Sequence, residues 1–209
     1  MNKNRYICIF AAIAAVVTLL VACSPDLTEN VSELRSGYFA AEDDTFKAVA
    51  VSGRRESNYV ADGIAGELVP YTLITVTPKA FDPDAVYTFT AKTDSASYGG
   101  TFTVHPFAAS FSAEIAAEMT ADFTLTVSAG ENVYEYSLVS CVTHEMMTFD
   151  RAIEAAKTEL KPENVEIRAR LIQNPVGDGL CWHVAFYGSD GTQSGVLLDP
   201  VTAKVLAKK

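Results

Sequence analysis

Asp122-Phe123-Thr124-Leu125-Thr126-Val127, then Gly130, then Tyr134-Glu135-Tyr136-Ser137-Leu138, is the stretch that decides the fold. Successive side chains of an extended strand point to opposite faces, so Phe123, Leu125 and Val127 share one side and Asp122, Thr124 and Thr126 the other. Tyr134, Tyr136 and Leu138 repeat the pattern against Glu135 and Ser137, with Gly130 as the turn between the two runs. Two half-buried antiparallel strands are the expectation.

The same period recurs upstream. Tyr87 and Phe89 alternate with Thr88 and Thr90, and Phe102 and Val104 with Thr101 and Thr103. Tyr71 to Val76 is largely apolar on both faces, which suits a central strand with Pro70 tolerated at its start. Asp62-Gly63, Pro78, Asp82-Pro83-Asp84 and Gly99-Gly100 separate the runs. Tyr38–Ala41 and Phe46–Val51 add two more, which makes roughly seven strands, the number of an immunoglobulin-like antiparallel sandwich over residues 34–145. The Cys…Trp…Cys signature of true immunoglobulin domains is absent. Ala113 to Met119 reads as one or two helical turns crossing between the sheets.

From residue 146 the period changes. Phe149, Ile153, Ala156 and Leu160 form one stripe of a helix, with Thr148 at its N-cap, Asp150 in the first turn and Pro162 as the stop. Val165, Ile167, Ala169 and Leu171 then alternate with Glu166, Arg168 and Arg170, and Trp182, Val184 and Phe186 follow in the same manner. Gly188-Ser189-Asp190-Gly191 turns the chain into Gln193 to Leu198, and Ala203 to Leu206 allows a last short strand. The expected fold class is therefore mostly β with a small α+β part, a sandwich followed by a helix and a three-stranded antiparallel sheet over 146–209. Trp182-His183-Val184-Ala185-Phe186, Asp190-Gly191 and Val196 to Leu206 resemble a PepSY domain, whose strand, glycine turn and V-D-x-x-T-G-x-V pattern they approximate. Ala203 stands where that family usually has glycine. The resemblance implies a regulatory role, proposed for that family toward peptidases, and carries over no catalytic residue. Asp199 reads as a turn residue satisfying backbone amides, and Trp182 as core.

At the N-terminus, Lys3 and Arg5 precede the uncharged apolar run Ile7 to Ala22, the grammar of a secretory signal over residues 1–22. That run is shorter than the roughly 20 residues a spanning helix needs. Leu20-Val21-Ala22-Cys23 resembles the lipobox of bacterial lipoproteins. The resemblance implies a diacylated Cys23 as the first mature residue, with two acyl chains giving stable anchoring to the bilayer. Residues 23–33 read as a polar tether. The expected location is extracytoplasmic, lipid-anchored to the bacterial cell membrane.

The chain carries 26 Asp and Glu against 16 Lys and Arg, a formal charge of −10. Loss of residues 1–22 removes Lys3 and Arg5 and no acid, deepening the charge to −12. Such a balance disfavours nucleic acid. Of four cysteines, Cys8 leaves with the signal and Cys23 takes lipid, so Cys141 and Cys181 remain as candidates for a disulfide in an oxidising compartment. Both fall on expected outer strand faces, where a bridge would clasp the two folds.

No motif selects catalysis. His105, His144 and His183 lie in different elements, so no metal ligand set is expected, and His144-Glu145-Met146-Met147-Thr148 lacks the second histidine of the zinc-peptidase pattern. There is no Gly-x-Ser-x-Gly elbow, no phosphate-binding glycine loop and no cofactor motif. Arg54-Arg55 is a basic spot in an acidic chain, read as a solvated turn or as a contact for an acidic partner. The sequence thus points to a non-catalytic binding or regulatory lipoprotein acting on an envelope protein or peptidase. The alternative is a surface lipoprotein that binds a glycan or small ligand.

Overall fold

A computed structural model describes residues 30–57, 66–162, 165–188 and 191–209. The signal segment, Cys23, the tether up to residue 29 and the Ser189-Asp190 turn lie outside the described residues. The described chain runs β1 (Val31–Glu42), β2 (Phe46–Glu56), β3 (Leu68–Pro78), β4 (Thr88–Lys92), β5 (Ser97–Thr101), β6 (Thr103–Val104), β7 (Phe111–Ile115), β8 (Phe123–Ala129) and β9 (Asn132–Ser140). Helix α1 (Phe149–Leu160) then leads into β10 (Val165–Gln173), β11 (Leu180–Gly188), β12 (Gln193–Leu198) and β13 (Val205–Lys208).

The strand pairing is almost wholly antiparallel. A long sheet follows the order β13-β12-β11-β10-β1-β2-β3-β7-β6, and β5-β4-β8-β9 forms a second layer. Strand β9 closes back onto β1 through Phe39↔Ser140 and Ala40↔Val139. The hairpin of the opening stretch forms as the alternation demands, with Phe123↔Leu138, Leu125↔Tyr136 and Val127↔Tyr134 in register. Phe39, Ala50, Ile74 and Phe111 of the long sheet meet Phe89, Leu125, Val127 and Leu138 of the second layer in a first core. Aromatic rings interlock there edge to face. Phe39 and Phe123 lie 5.5 Å apart, and Tyr87 and Phe111 4.8 Å apart. Each such pair contributes about 0.5–1.5 kcal/mol beyond its burial.

The second core lies under α1. Ala152, Ile153 and Ala156 of the helix are buried against Ile167, Ala169, Leu171, Trp182, Val184 and Phe186. Thr148 takes the extended conformation of a cap residue, without a side-chain cap bond. Lys161 adopts the left-handed conformation and returns its amide to Lys157, which ends the helix just before Pro162. Trp182 is 2% exposed and donates its indole N–H to the Met147 carbonyl at 3.2 Å, a core residue as expected. Asp199 Oδ1 accepts the amides of Val201 and Thr202 and the Thr202 hydroxyl, the turn role expected of it. Ala203, in the glycine position, sits at φ +61°.

Three expectations are corrected. The segment Ala113 to Met119 is not helical: Phe111–Ile115 is a strand that pairs with β3. The backbone beyond it is captured by buried hydroxyls, with Thr72 donating to the Ala117 carbonyl at 2.7 Å and Ser52 accepting the Met119 amide at 2.7 Å. Tertiary hydrogen bonds outweigh the local helical preference. Second, β1 begins at Val31, so the end of the expected tether is strand. Third, the boundary between 145 and 146 does not separate two sheets. Strand β10 pairs in parallel with the first half of β1, joining Val31↔Ile167, Glu33↔Arg168, Leu34↔Ala169 and Arg35↔Arg170. Local periodicity cannot reveal a parallel pairing between strands so distant in sequence, and the long sheet runs unbroken through both halves.

Candidate functional site

The seam between β1 and β10 collects the chain's unusual charges. Residues directly opposite one another on neighbouring strands share a face. Across the sheet, Arg55 of β2, Glu33 of β1 and Arg168 of β10 form one row. The next row holds Tyr71 of β3, Gly53 of β2, Arg35 of β1, Arg170 of β10 and His183 of β11. Four arginines from three strands therefore stand on one sheet face in a chain of net charge −10.

Their partners are unevenly distributed. Glu33, whose side chain is 12% exposed, accepts the Tyr71 hydroxyl at 2.7 Å and the Arg170 Nε–H at 2.8 Å. Burial would raise its carboxyl, but the hydrogen bonds from Tyr71 and Arg170 and the charges of Arg170 and Arg35 prevail and hold it below the usual carboxylate range. Burial and the Glu33 carboxylate together raise the Tyr71 phenol well above its ordinary value. Glu166 accepts the Ser32 hydroxyl and, at 2.8 Å, the Arg168 Nε–H, while the Arg168 guanidinium lies 4.6 Å over the Tyr187 ring. Arg55 Nη2 reaches Glu114 at 2.6 Å and stacks 4.6 Å over Tyr71. The buried Nε of Arg35 has no hydrogen-bond acceptor among the described residues, although its charge acts on Glu33. Beside these rows opens a cleft of about 380 Å³ lined by Ser32, Glu33, Arg55, Glu56, Glu166 and Arg168.

The sequence-level candidates fare differently. Arg54 and Arg55 lie on β2 itself rather than in a turn after it, because β2 extends to Glu56. They point to opposite faces, Arg54 pairing with Glu118 at 2.7 Å and only Arg55 joining the seam. Cys141 and Cys181 are both free thiols, so no bridge joins them. Cys181 is fully buried on β11 instead of facing outward, and burial pushes its thiol up to about 11. Cys141 follows β9 at the β1 edge, with β1 and β10 between it and β11. Burial raises its thiol as well, so both are protonated at neutral pH and poor nucleophiles. Among the described residues no three His, Cys, Asp or Glu side chains gather as a metal site, and no helix is long and apolar enough to cross a membrane.

Glu33, Arg35, Arg168 and Arg170 were not singled out from the sequence. The signal available was the Glu166-x-Arg168-x-Arg170 alternation, which puts two arginines on the uncovered face of one strand. What completes the site is the β1–β10 pairing, and that has no local signature.

A second cleft, about 360 Å³, lies at the end of the first core and is lined by Phe46, Tyr87 and Tyr134 with Asp44, Lys79 and Asn132. The fold and these sites define a mostly antiparallel β protein with one helix among the described residues and a charged, strand-built surface. No family model matches the chain, and no curated protein or solved structure is significantly similar to it.

Proposed function

We propose that the protein is an extracytoplasmic lipoprotein, anchored through diacylated Cys23, whose arginine-bearing sheet face binds an acidic segment of another envelope protein without catalysing a reaction. A peptidase is the partner class that the PepSY-like reading of residues 146–209 suggests, beside an immunoglobulin-like reading of the first nine strands. One observation carries the binding role: four arginines concentrate on one sheet face of an acidic chain, and the buried Nε of one of them has no acceptor among the described residues. Arginine forks favour carboxylates geometrically as well as by charge. Both cysteines are protonated and inward or half-covered, which suits a surface that binds rather than reacts.

The test is crosslinking in the protein's own cells from two positions. A photoreactive residue at Ser57, which lines the cleft, is expected to capture a defined envelope protein. The same residue at Val133, exposed on the second layer, is expected not to. Equal capture from both positions, or none from Ser57, would sink the proposal. Replacing Cys23 with alanine is expected to release the protein from the membrane fraction, and retention there would refute the anchor.

The glycan- or small-ligand-binding alternative draws support from the cleft at Phe46, Tyr87 and Tyr134, where aromatic rings adjoin Asp44, Lys79 and Asn132. Apolar walls with a few polar groups are the usual make-up of small-molecule sites. Tyr134→Ala would abolish oligosaccharide retention under this reading and leave Ser57 crosslinking unchanged.

A further inference from the structure

Arg35 faces an arrangement that a sheet ordinarily avoids. Directly opposite it on β10 is Arg170, a like charge at cross-strand distance. Directly opposite on β2 is Gly53, where a Cβ would come within 2.0 Å of the Leu34 carbonyl oxygen. No side chain therefore occupies the space beside Arg35 on that strand. Glu33, the carboxylate on which the charge of Arg35 acts, is already committed to Tyr71 and Arg170. Beyond Arg170, in the same row, stands His183, which also borders a cleft of about 210 Å³ with Gly195, Leu197, Lys208 and Lys209. Glu33 acts on this imidazole against the charges of both Arg170 and Arg35.

A buried guanidinium donor without an acceptor is costly, and in native proteins such groups are rare. Here three cationic or protonatable groups line one row, and Glu33 in the adjacent row is already engaged. We propose that Arg35, with Arg170 and His183 beside it, forms a seat for one oxyanion, a carboxylate or phosphate group, which completes the hydrogen bonding of Arg35 and separates it from Arg170. The seat rests on the reading of the arginine-bearing face as the binding face, and it identifies the chemical group that this face would take from a partner.

Burial, then Arg170 and Arg35, lower the His183 pKa, so its imidazole is neutral near pH 7. An anion beside it favours the imidazolium. Binding then takes up a proton and tightens as pH falls. The other groups facing this row are Glu33 and Arg35 on β1, Tyr71 on β3 and Arg170 on β10, with Lys208 and Lys209 at the neighbouring cleft. Of these, Glu33 is held below the usual carboxylate range and stays ionised throughout the range tested.

The experiment is NMR titration of the Arg35 Nε–H and the His183 ring, first with sulfate as a tetrahedral dianion whose charge does not change with pH, then with succinate as a carboxylate. Saturable shifts at both residues are expected, several-fold tighter at about pH 5.5 than at about pH 7.5. Arg35→Met is expected to weaken binding by roughly tenfold or more, the loss of a charge-assisted fork, with Arg35→Lys retaining part of it. His183→Gln is expected to bind without the pH dependence. Trp182 fluorescence confirms that each variant is folded. Preference for sulfate assigns a phosphate group, and preference for succinate assigns a carboxylate. No saturable shift with either anion, or equal binding by Arg35→Met, overturns the seat. Anion binding without any partner captured from Ser57 would leave the seat standing and remove the proposed function. Capture of a partner without anion shifts would do the reverse.

Discussion

Strand β1 belongs to two regions held together by different physics. Its second half, around Phe39 and Ala40, pairs with β2 and β9 and feeds Phe39 into a core of interlocked aromatic and aliphatic side chains. Its first half, Val31 to Arg35, pairs with β2 and β10 and presents Glu33 and Arg35 to a row of arginines. The backbone ladder is continuous through both. What differs is the side-chain chemistry laid on it, apolar and self-sufficient in the first region, charged and with the Nε of Arg35 lacking an acceptor in the second. A β-bulge between Arg35 and Gly37 marks the change. Bulges locally bend and re-aim a strand. The contrast teaches that one strand can carry an apolar core along half its length and a charged surface along the other.

The sharpest way to break this comparison asks whether the two regions unfold together. Trp182 is the chain's only tryptophan and lies in the second core, so its fluorescence reports on that region alone. Leu125 is fully buried in the first core. Leu125→Ala is expected to cost about 3 kcal/mol by lost burial and a residual cavity. If the shared strand couples the regions, denaturant curves followed by Trp182 fluorescence and by backbone circular dichroism shift together by that amount. An unmoved Trp182 transition would show two independent units and restore the boundary near residue 145.

Gly53→Ala attacks the seam directly. The added Cβ would lie 2.0 Å from the Leu34 oxygen and 2.7 Å from the Arg35 Cα, both backbone atoms that cannot swing aside. A loss of about 2–3 kcal/mol is expected from such overpacking. Unlike the core substitution, this one acts where the regions meet, and the two optical transitions are expected to separate. Coincident, unshifted curves would refute the close approach.

Glu33→Gln keeps the shape of the seam and removes its carboxylate. The Tyr71 and Arg170 bonds lose their charge assistance, and the expected cost at pH 7 is about 1–2 kcal/mol. The sign with pH follows from the direction of the shift. Glu33 is held below its ordinary value in the folded state, so its contribution is complete above the unfolded carboxylate pKa of about 4.3 and fades as pH falls through the lower folded value. The gap between wild type and Glu33→Gln should therefore close below about pH 4. A gap that persists in acid would mean that Glu33 acts through packing rather than charge.

Much of the first region was legible because its information is local. The Phe123-Leu125-Val127 and Tyr134-Tyr136-Leu138 alternations define two strands and the face they bury, and the Phe149-Ile153-Ala156-Leu160 stripe defines α1. What escaped reading was non-local. Val31 to Glu33 sits in a polar neighbourhood, with no alternation to distinguish tether from strand, and becomes strand only because β10 and β2 flank it. The same pairing sets Arg35 opposite Arg170, so the candidate site was visible as residue types and invisible as an arrangement. Cys181 shows the limit from the other side. Alternation placed it outward, yet Cys181 is as fully buried as the core face of its strand, because β11 is covered on both faces there.

The smallest expected effect tests the second region alone. Ala203 is held at φ +61° in the turn from β12 to β13, its amide bonded to the Asp199 carbonyl at 3.0 Å. A side chain in the left-handed region costs about 1 kcal/mol, and glycine avoids that cost while losing some entropy on folding. Ala203→Gly is expected to stabilise by roughly 0.5–1 kcal/mol, the difference between those opposing terms. If the regions are coupled through β1, the gain appears in both optical transitions. If Trp182 alone reports it, the second region folds on its own, and the contrast along β1 becomes one between two units rather than two halves of a single strand.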